Sequence, residues 1–173
     1  MIKYCFSIIN LLPLLFLTVT AQVYLTKDEA LSLYLGKEHH RKTIFLTDQQ
    51  VREIQKTSKA KVESKIVTYY RGDKGYALFE TRTVRTMPAT FIVVVSTDGT
   101  IQAVEMLAFY EPEDYLPPKR WLSTFSKKSL SDDLWLKRGI YNVSGATMSA
   151  HAITESVRKF LAIYDIAIRK EEQ

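Results

Sequence analysis

The sequence predicts an α+β fold in which an antiparallel sheet has flanking helices and is followed by a long C-terminal helix. Strand-like apolar segments follow one another between residues 64 and 109, separated by turn-forming residues and not by helices. Consecutive strands of this kind favour an antiparallel sheet over a doubly wound parallel one. From residue 144 to residue 168 the apolar residues recur three or four apart, which is the period of an amphipathic helix.

The N-terminal segment, residues 1–21, has the composition of a signal peptide. Lys3 is its only charge, an apolar stretch follows, and Val19-Thr20-Ala21 supplies the small residues that a signal peptidase requires. We expect cleavage before Gln22, which leaves residues 22–173 as a single domain outside the cytoplasm. The alternative is an uncleaved membrane anchor, although the apolar stretch is shorter than the roughly 20 residues that span a bilayer.

Charge and cysteine content argue against several classes of function. The net charge is +5, but the basic residues are scattered, so solvated faces account for them and no nucleic-acid partner is expected. The single cysteine, Cys5, lies in the targeting segment, so the exported domain has no disulfide and no thiolate nucleophile. The histidines (His39, His40 and His151) lack the spacing of a zinc site, and no metal is expected.

Two helices are predicted before the sheet. Thr26 and Glu29 form a capping box, and Gly36 is a natural end, so the first helix lies between Thr26 and Gly36. Thr47 opens the second helix. The polar segment 56–64 is expected to loop out.

Four strands are predicted in succession. The segments 64–70 and 76–84 flank a turn signal and form a hairpin. The segment 90–96 is a continuous apolar run, which is typical of a strand buried on both faces. Asp98-Gly99 is a two-residue hairpin turn, after which 100–109 forms the returning strand.

The last third of the chain combines a loop, a short helix and a long one. Residues 111–118 are predicted as a loop, residues 121–125 as a short helix, and residues 126–141 as irregular with a buried Trp135. The final helix is predicted over 144–168. Its buried stripe consists of residues three or four apart: Ile153, Val157, Phe160, Leu161, Tyr164 and Ile168.

The segment Ser144-Gly145-Ala146-Thr147 stands where this last helix is predicted to begin. The first turn of a helix has unpaired backbone N–H groups and the positive end of the helix dipole, which together favour a phosphate. Gly145 and Ala146 are small enough to let a phosphate approach the backbone. Thr147 then places a hydroxyl beside that phosphate as an acceptor for phosphoryl transfer. The alternative interpretation is a turn glycine behind an ordinary N-cap serine.

Residues 140–157 resemble the flavinylation region of the FMN-binding domain shared by two redox subunits. These are the C subunit of the sodium-pumping NADH:quinone oxidoreductase and the G subunit of the Rnf electron-transport complex. Their usual form is Asp-x-x-Ser/Thr-Gly-Ala-Thr, then a hydrophobic residue and Ser or Thr. This chain has Ser144-Gly145-Ala146-Thr147-Met148-Ser149. The resemblance implies that these six residues bind FMN, and that a flavin transferase moves FMN from FAD onto Thr147.

The resemblance extends over residues 83–168. Glu111 matches the glutamate that precedes the family's flavin-facing loop, and either Tyr115 or Leu116 takes the place of its flavin-facing leucine. The resemblance implies that Glu111, Tyr115 and Leu116 are further FMN-binding residues. The aspartate of the usual form falls at position 141, which is tyrosine in this chain. The transferase is expected to recognise that aspartate.

The resemblance implies a flavoprotein with covalent FMN that transfers electrons in the periplasm or on the outer face of the cytoplasmic membrane. Its expected partners are the flavin transferase and a membrane or periplasmic redox protein. A carrier or a subunit is implied more than a stand-alone enzyme. One alternative is a flavin reductase with its own small substrate, with Tyr115, Glu113 or His151 as proton donor. The other is a binding domain of the same fold that has lost the flavin.

Overall fold

A computed structural model describes residues 22–172, so the predicted signal peptide, residues 1–21, lies outside the described residues. Within the described part of the chain, six strands form one antiparallel sheet in the order β1-β6-β5-β4-β3-β2. The strands are β1 (Gln22–Val23), β2 (His39–Phe45), β3 (Ile66–Gly72), β4 (Gly75–Thr83), β5 (Pro88–Val95) and β6 (Ile101–Phe109). The predicted α+β class is confirmed.

The helices flank this sheet and close the chain. They are α1 (Lys27–Leu35), α2 (Asp48–Ser58), α3 (Lys119–Leu122) and α4 (Thr147–Ile163). A π-helical turn, Tyr164–Ile168, continues α4 into a last α-helical turn, Arg169–Glu171. Short 3-10 turns lie at Glu113–Tyr115 and Ser123–Phe125. No helix in residues 22–172 combines the length and the apolar composition that crossing a bilayer requires.

Side-chain caps fix the starts of α1 and α2. Both helices have full capping boxes, the predicted one at Thr26 with Glu29 and a second at Thr47 with Gln50. The end of α2 differs from the prediction, because the helix continues to Ser58 where a loop was expected from residue 56. The buried Ser58 hydroxyl donates a 2.7 Å hydrogen bond to the carbonyl of Ile54, which holds this last turn.

The two predicted hairpins are confirmed, and two further strands were not predicted. β2 pairs with β3 along its whole length and forms one edge of the sheet. Its sequence lacks the alternation of a half-buried strand, because Ile44 is its only buried residue. Exposed basic side chains on an edge strand also discourage pairing with another chain.

The core has two layers, one on each face of the sheet. α4 and α2 lie against one face, and the predicted α4 stripe is buried throughout. α1 covers part of the other face through Ala30, Leu31 and Leu35. The central strand β5 lies between the two layers with residues 91–95 buried, as the continuous apolar run predicted.

The prediction of a buried Trp135 is wrong, because Leu134 takes the buried position and Trp135 is only partly covered. The guanidinium of Arg158 lies 3.7 Å from the Trp135 ring. Arg158 is itself buried in α4 and donates to the carbonyls of Ser58 and Leu134 at 2.9 and 3.1 Å. Its burial lowers the pKa of the guanidinium. Arg158 thereby connects α2, the 126–141 segment and α4.

Candidate functional site

Three segments meet at the N-terminus of α4 and enclose a shallow cavity of about 250 Å³. They are the β4–β5 connection, the 3-10 turn after β6, and the first turn of α4 with the residues before it. The lining residues are Arg85, Tyr115, Gly145, Ala146, Thr147, Met148 and Ser149. The structure therefore brings residues 145–149 of the predicted motif together with Tyr115 and with Arg85, which the sequence analysis did not identify, whereas Ser144 is exposed and is not among the lining residues.

The helix begins at Thr147, three residues later than predicted, so Ser144 is not its N-cap. Ala146 occupies the cap position and provides no side-chain hydrogen bond to the first-turn N–H groups. A helix start without a side-chain cap leaves those groups for another acceptor, such as a phosphate. Gly145 has a φ of 82°, a conformation that side-chain-bearing residues rarely adopt, and it turns the chain into the helix.

The Thr147 hydroxyl lies at the rim of this cavity and is exposed to solvent. Its Oγ1 donates to the carbonyl of Val143 at 3.3 Å and accepts from the Nδ2 of Asn142 at 3.2 Å. The oxygen is thus held by two neighbours in the preceding turn, on a residue that is itself exposed to solvent. A nucleophilic hydroxyl has to be accessible in this way for group transfer.

Ser149 and Met148 have different roles in the wall of the cavity. Ser149 is buried, and its hydroxyl donates a 2.5 Å hydrogen bond to the carbonyl of Tyr115, which ties α4 to the 3-10 turn. Its hydroxyl is therefore used within the protein. Met148 has 53% of its surface exposed and offers an apolar side chain at the mouth of the cavity.

Tyr115 and Leu116 differ in their position relative to the cavity. The Tyr115 ring lines the cavity, and the guanidinium of Arg85 stacks on it at 4.0 Å from the ring centroid. Both side chains pack against the hydrophobic core, but Leu116 is not among the lining residues. Of the two candidates for the apolar wall, the geometry favours Tyr115.

Glu111 lies behind the cavity and not in its lining. Its buried carboxylate accepts backbone N–H groups of Thr86, Met87 and Arg85 at 2.6, 2.8 and 3.2 Å. These hydrogen bonds, with those from Thr86 and Met87 first, lower the pKa of the Glu111 carboxyl. Glu111 was predicted to bind the cofactor; it is not among the lining residues, and its hydrogen bonds fix the β4–β5 connection from which Arg85 reaches the cavity.

Position 141, where the usual form of the motif has aspartate, holds an exposed tyrosine in this chain. Tyr141 is 53% exposed, and its carbonyl accepts a 2.7 Å hydrogen bond from the indole Nε1 of Trp121. Trp121 is fully buried, so it anchors the turn that leads into the motif. His151 lies one helical turn after Thr147 and is exposed, with its Nδ1 4.0 Å from a carboxylate oxygen of Glu155.

Another cavity of the described region, of about 400 Å³, lies between β3, β4 and α4. Its two cations are already paired, Lys159 with Glu80 at 2.8 Å and Glu63 at 3.4 Å, and Arg82 with Glu155 at 3.0 Å. Little charge is therefore left for an anionic ligand. Within residues 22–172 no group of three potential metal ligands is present.

Comparison with known proteins adds one match. Residues 86–162 match the family model described as the FMN-binding domain. The matched segment contains Glu111, Tyr115 and the whole of residues 144–149, and it begins one residue after Arg85. No curated protein matches the chain.

Proposed function

We propose that the protein is an extracytoplasmic electron carrier with FMN joined to Thr147 by a phosphoester bond, because residues 86–162 match the family model of the FMN-binding domain. The family match supports a flavin-binding protein and FMN as the cofactor. Covalent attachment, electron transfer and the location outside the cytoplasm are the parts that we propose.

The observation that carries this proposal is the Thr147 hydroxyl at the rim of a cavity that suits a phosphate. The first turn of α4 provides backbone N–H groups without a side-chain cap and the positive end of a long helix dipole. Arg85, whose guanidinium stacks on the Tyr115 ring, lines the same cavity and carries a full positive charge. The helix N–H groups and Arg85 would together stabilise the anionic oxygens of a phosphoester on Thr147.

The size of the cavity favours a carrier over an enzyme with its own substrate. Cavities that enclose small molecules usually measure about 300–1,000 Å³, and this one is smaller, at about 250 Å³. It suits the phosphate end of FMN, whereas Tyr115 and Met148 offer apolar surface at the mouth for part of the ring. When bound, FMN supplies one-electron or two-electron transfer. A flavin exposed at a shallow site suits direct contact with a redox partner.

Attachment requires FAD and a flavin transferase outside the cytoplasm. Thr147 Oγ1 forms the new bond to the phosphorus of the FMN half of FAD. The bond between that phosphorus and the bridging oxygen breaks, AMP leaves with the electron pair, and the hydroxyl proton passes to a base of the transferase or to water. Within this chain, the residues around Thr147 have to hold its oxygen outward and stabilise the phosphate charge.

Replacing Thr147 tests this function. Thr147→Ala should abolish covalent flavin and leave the fold intact, because the side chain is exposed and its loss removes no core contact. Thr147→Ser should keep part of the loading, since the hydroxyl is retained. Flavin fluorescence of the band on a denaturing gel measures loading, with Thr57→Ala on the exposed side of α2 as the matched control. A fluorescent Thr147→Ala band would contradict the proposal.

A further inference from the structure

The side chain of Asn142 makes a hydrogen bond to the Thr147 hydroxyl. Its Nδ2 donates to Thr147 Oγ1 at 3.2 Å. It lies directly after Tyr141, whose carbonyl is fixed by the buried Trp121, so the backbone from which the amide extends is anchored to the core. A contact made from an anchored turn can hold a hydroxyl in one rotamer.

The second neighbour of Thr147 Oγ1 differs from Asn142 in what it can bind. The carbonyl of Val143 accepts the hydroxyl proton, so this hydrogen bond exists only while Thr147 is unmodified. The amide of Asn142 donates, and an ester oxygen can accept that hydrogen bond as a hydroxyl oxygen does. The Asn142 contact is therefore compatible with Thr147 both before and after a phosphoester forms.

The remainder of the Asn142 amide has no partner within the described chain. Its Oδ1 is buried and makes no hydrogen bond to residues 22–172. A buried polar atom without a partner is unfavourable and uncommon in folded proteins. The surroundings of Oδ1 therefore give no reason for an amide at position 142, whereas the hydrogen bond from Nδ2 to Thr147 does.

From these contacts we propose that Asn142 is a positioning residue for flavin attachment, which orients Thr147 Oγ1 toward the incoming phosphorus and then donates to the phosphoester. This inference rests on the proposed attachment of FMN to Thr147. Asn142 holds the oxygen from the turn before the helix, and Thr147 is an exposed residue that an incoming group can reach. Asn142 contributes a donor without a negative charge, so it does not repel the phosphate.

An isosteric substitution distinguishes this donor from a general base. Asn142→Asp keeps the shape but replaces the donor with a carboxylate, which could only accept the hydroxyl proton. If position 142 served as a base, Asn142→Asp would load faster than wild type. If it serves as a donor, Asn142→Asp and Asn142→Ala should both load more slowly. One neutral hydrogen bond corresponds to about fivefold to tenfold in rate.

The experiment measures loading of the full exported chain with purified flavin transferase and FAD. Asn142→Asp and Asn142→Ala should lower the maximal loading rate by about fivefold or more, with an unchanged KM for the carrier. The control is Gln102→Glu, which makes the same amide-to-carboxylate change at an exposed position near the start of β6. Equal or faster loading of Asn142→Asp would overturn the inference, whereas a wild-type chain that never loads would overturn the proposed function instead.

A second measurement does not depend on the flavin. Three-bond NMR couplings to the Thr147 methyl group report its χ1 rotamer in the unloaded protein. One rotamer is expected in wild type and in Gln102→Glu, and an average of rotamers is expected in both Asn142 variants. A Thr147 side chain that keeps the wild-type rotamer in Asn142→Ala would overturn the inference, whatever the change in loading rate.

Discussion

Tyr115 and Leu116 are neighbours in sequence with different surroundings, and this difference makes a residue-scale prediction. Tyr115→Ser should admit water beside the proposed flavin, which stabilises a negatively charged reduced flavin and raises the reduction potential. Leu116→Ser should lower the stability of the fold and leave the potential unchanged, because Leu116 packs against the core and does not line the cavity. Redox titration of both loaded variants, with urea unfolding of each, is the measurement. A reduction potential that changes in Leu116→Ser but not in Tyr115→Ser would contradict this assignment.

The site residues that stand together in one short motif could be predicted from the sequence, whereas a residue far from that motif could not. Gly145 and Thr147 stand in one short motif, so their roles follow from local helix chemistry. Arg85 lies far upstream and reaches the cavity only because β4 and β5 pair next to α4. Nothing in its sequence surroundings indicates this. Asn142 adjoins the motif, but its contact with Thr147 depends on the turn that Trp121 anchors.

At the scale of elements, Glu111 connects the end of β6 to the β4–β5 connection. Three backbone N–H groups point at one carboxylate oxygen, so Glu111→Gln should lower the free energy of unfolding by about 1–3 kcal/mol at neutral pH. The folded-state pKa lies below the ordinary value of 4.5. The contribution is therefore full above about that value and is lost as the pH falls through the folded-state pKa.

Urea unfolding at neutral pH and through the acid range below 4.5 checks this prediction. The difference between wild type and Glu111→Gln should shrink as the pH falls. Glu113→Gln is the control, because Glu113 is an exposed carboxylate on the neighbouring 3-10 turn. A difference that stays constant with pH would show that the charge of Glu111 does not hold the connection.

Elements with a buried face were predictable, and elements without one were not. β5 and α4 have apolar patterns that follow directly from their burial, and both were predicted close to their observed bounds. β2 is polar and belongs to the sheet through backbone pairing with β3, which leaves no periodic signal. The start of α4 was misplaced because Ser144 resembles an N-cap, whereas Gly145 adopts a left-handed conformation that delays the helix.

At the scale of the whole molecule, the site is rigid because α4 is embedded in the core. α4 is buried from Ala152 to Ile163 apart from the partly buried Glu155, and its exposed residues, Thr147, Met148 and His151, lie at its N-terminal end. The sheet and α2 therefore fix the helix that presents Thr147. A redox partner would meet an exposed cofactor on a framework that does not need to rearrange, which suits repeated electron transfer.

The proposed export makes a second prediction at this scale. The mature N-terminus should be Gln22, the first residue of β1, whose pairing with Phe109 ties the start of the domain to the end of β6. Edman sequencing or intact mass of protein from the periplasmic fraction checks this. Met1 retained on protein in the membrane fraction would show that the segment is an anchor and that the domain is tethered.

The central claim, that FMN is bonded to Thr147, is tested most directly by the mass of the peptide that contains this residue. The protein is taken from a host that exports it together with an active flavin transferase. The account predicts a Thr147 peptide heavier by one FMN less one water, with fragment ions that place the added mass on Thr147. An unmodified Thr147 peptide from folded, exported protein, in cells where another covalent FMN carrier is loaded, would contradict it.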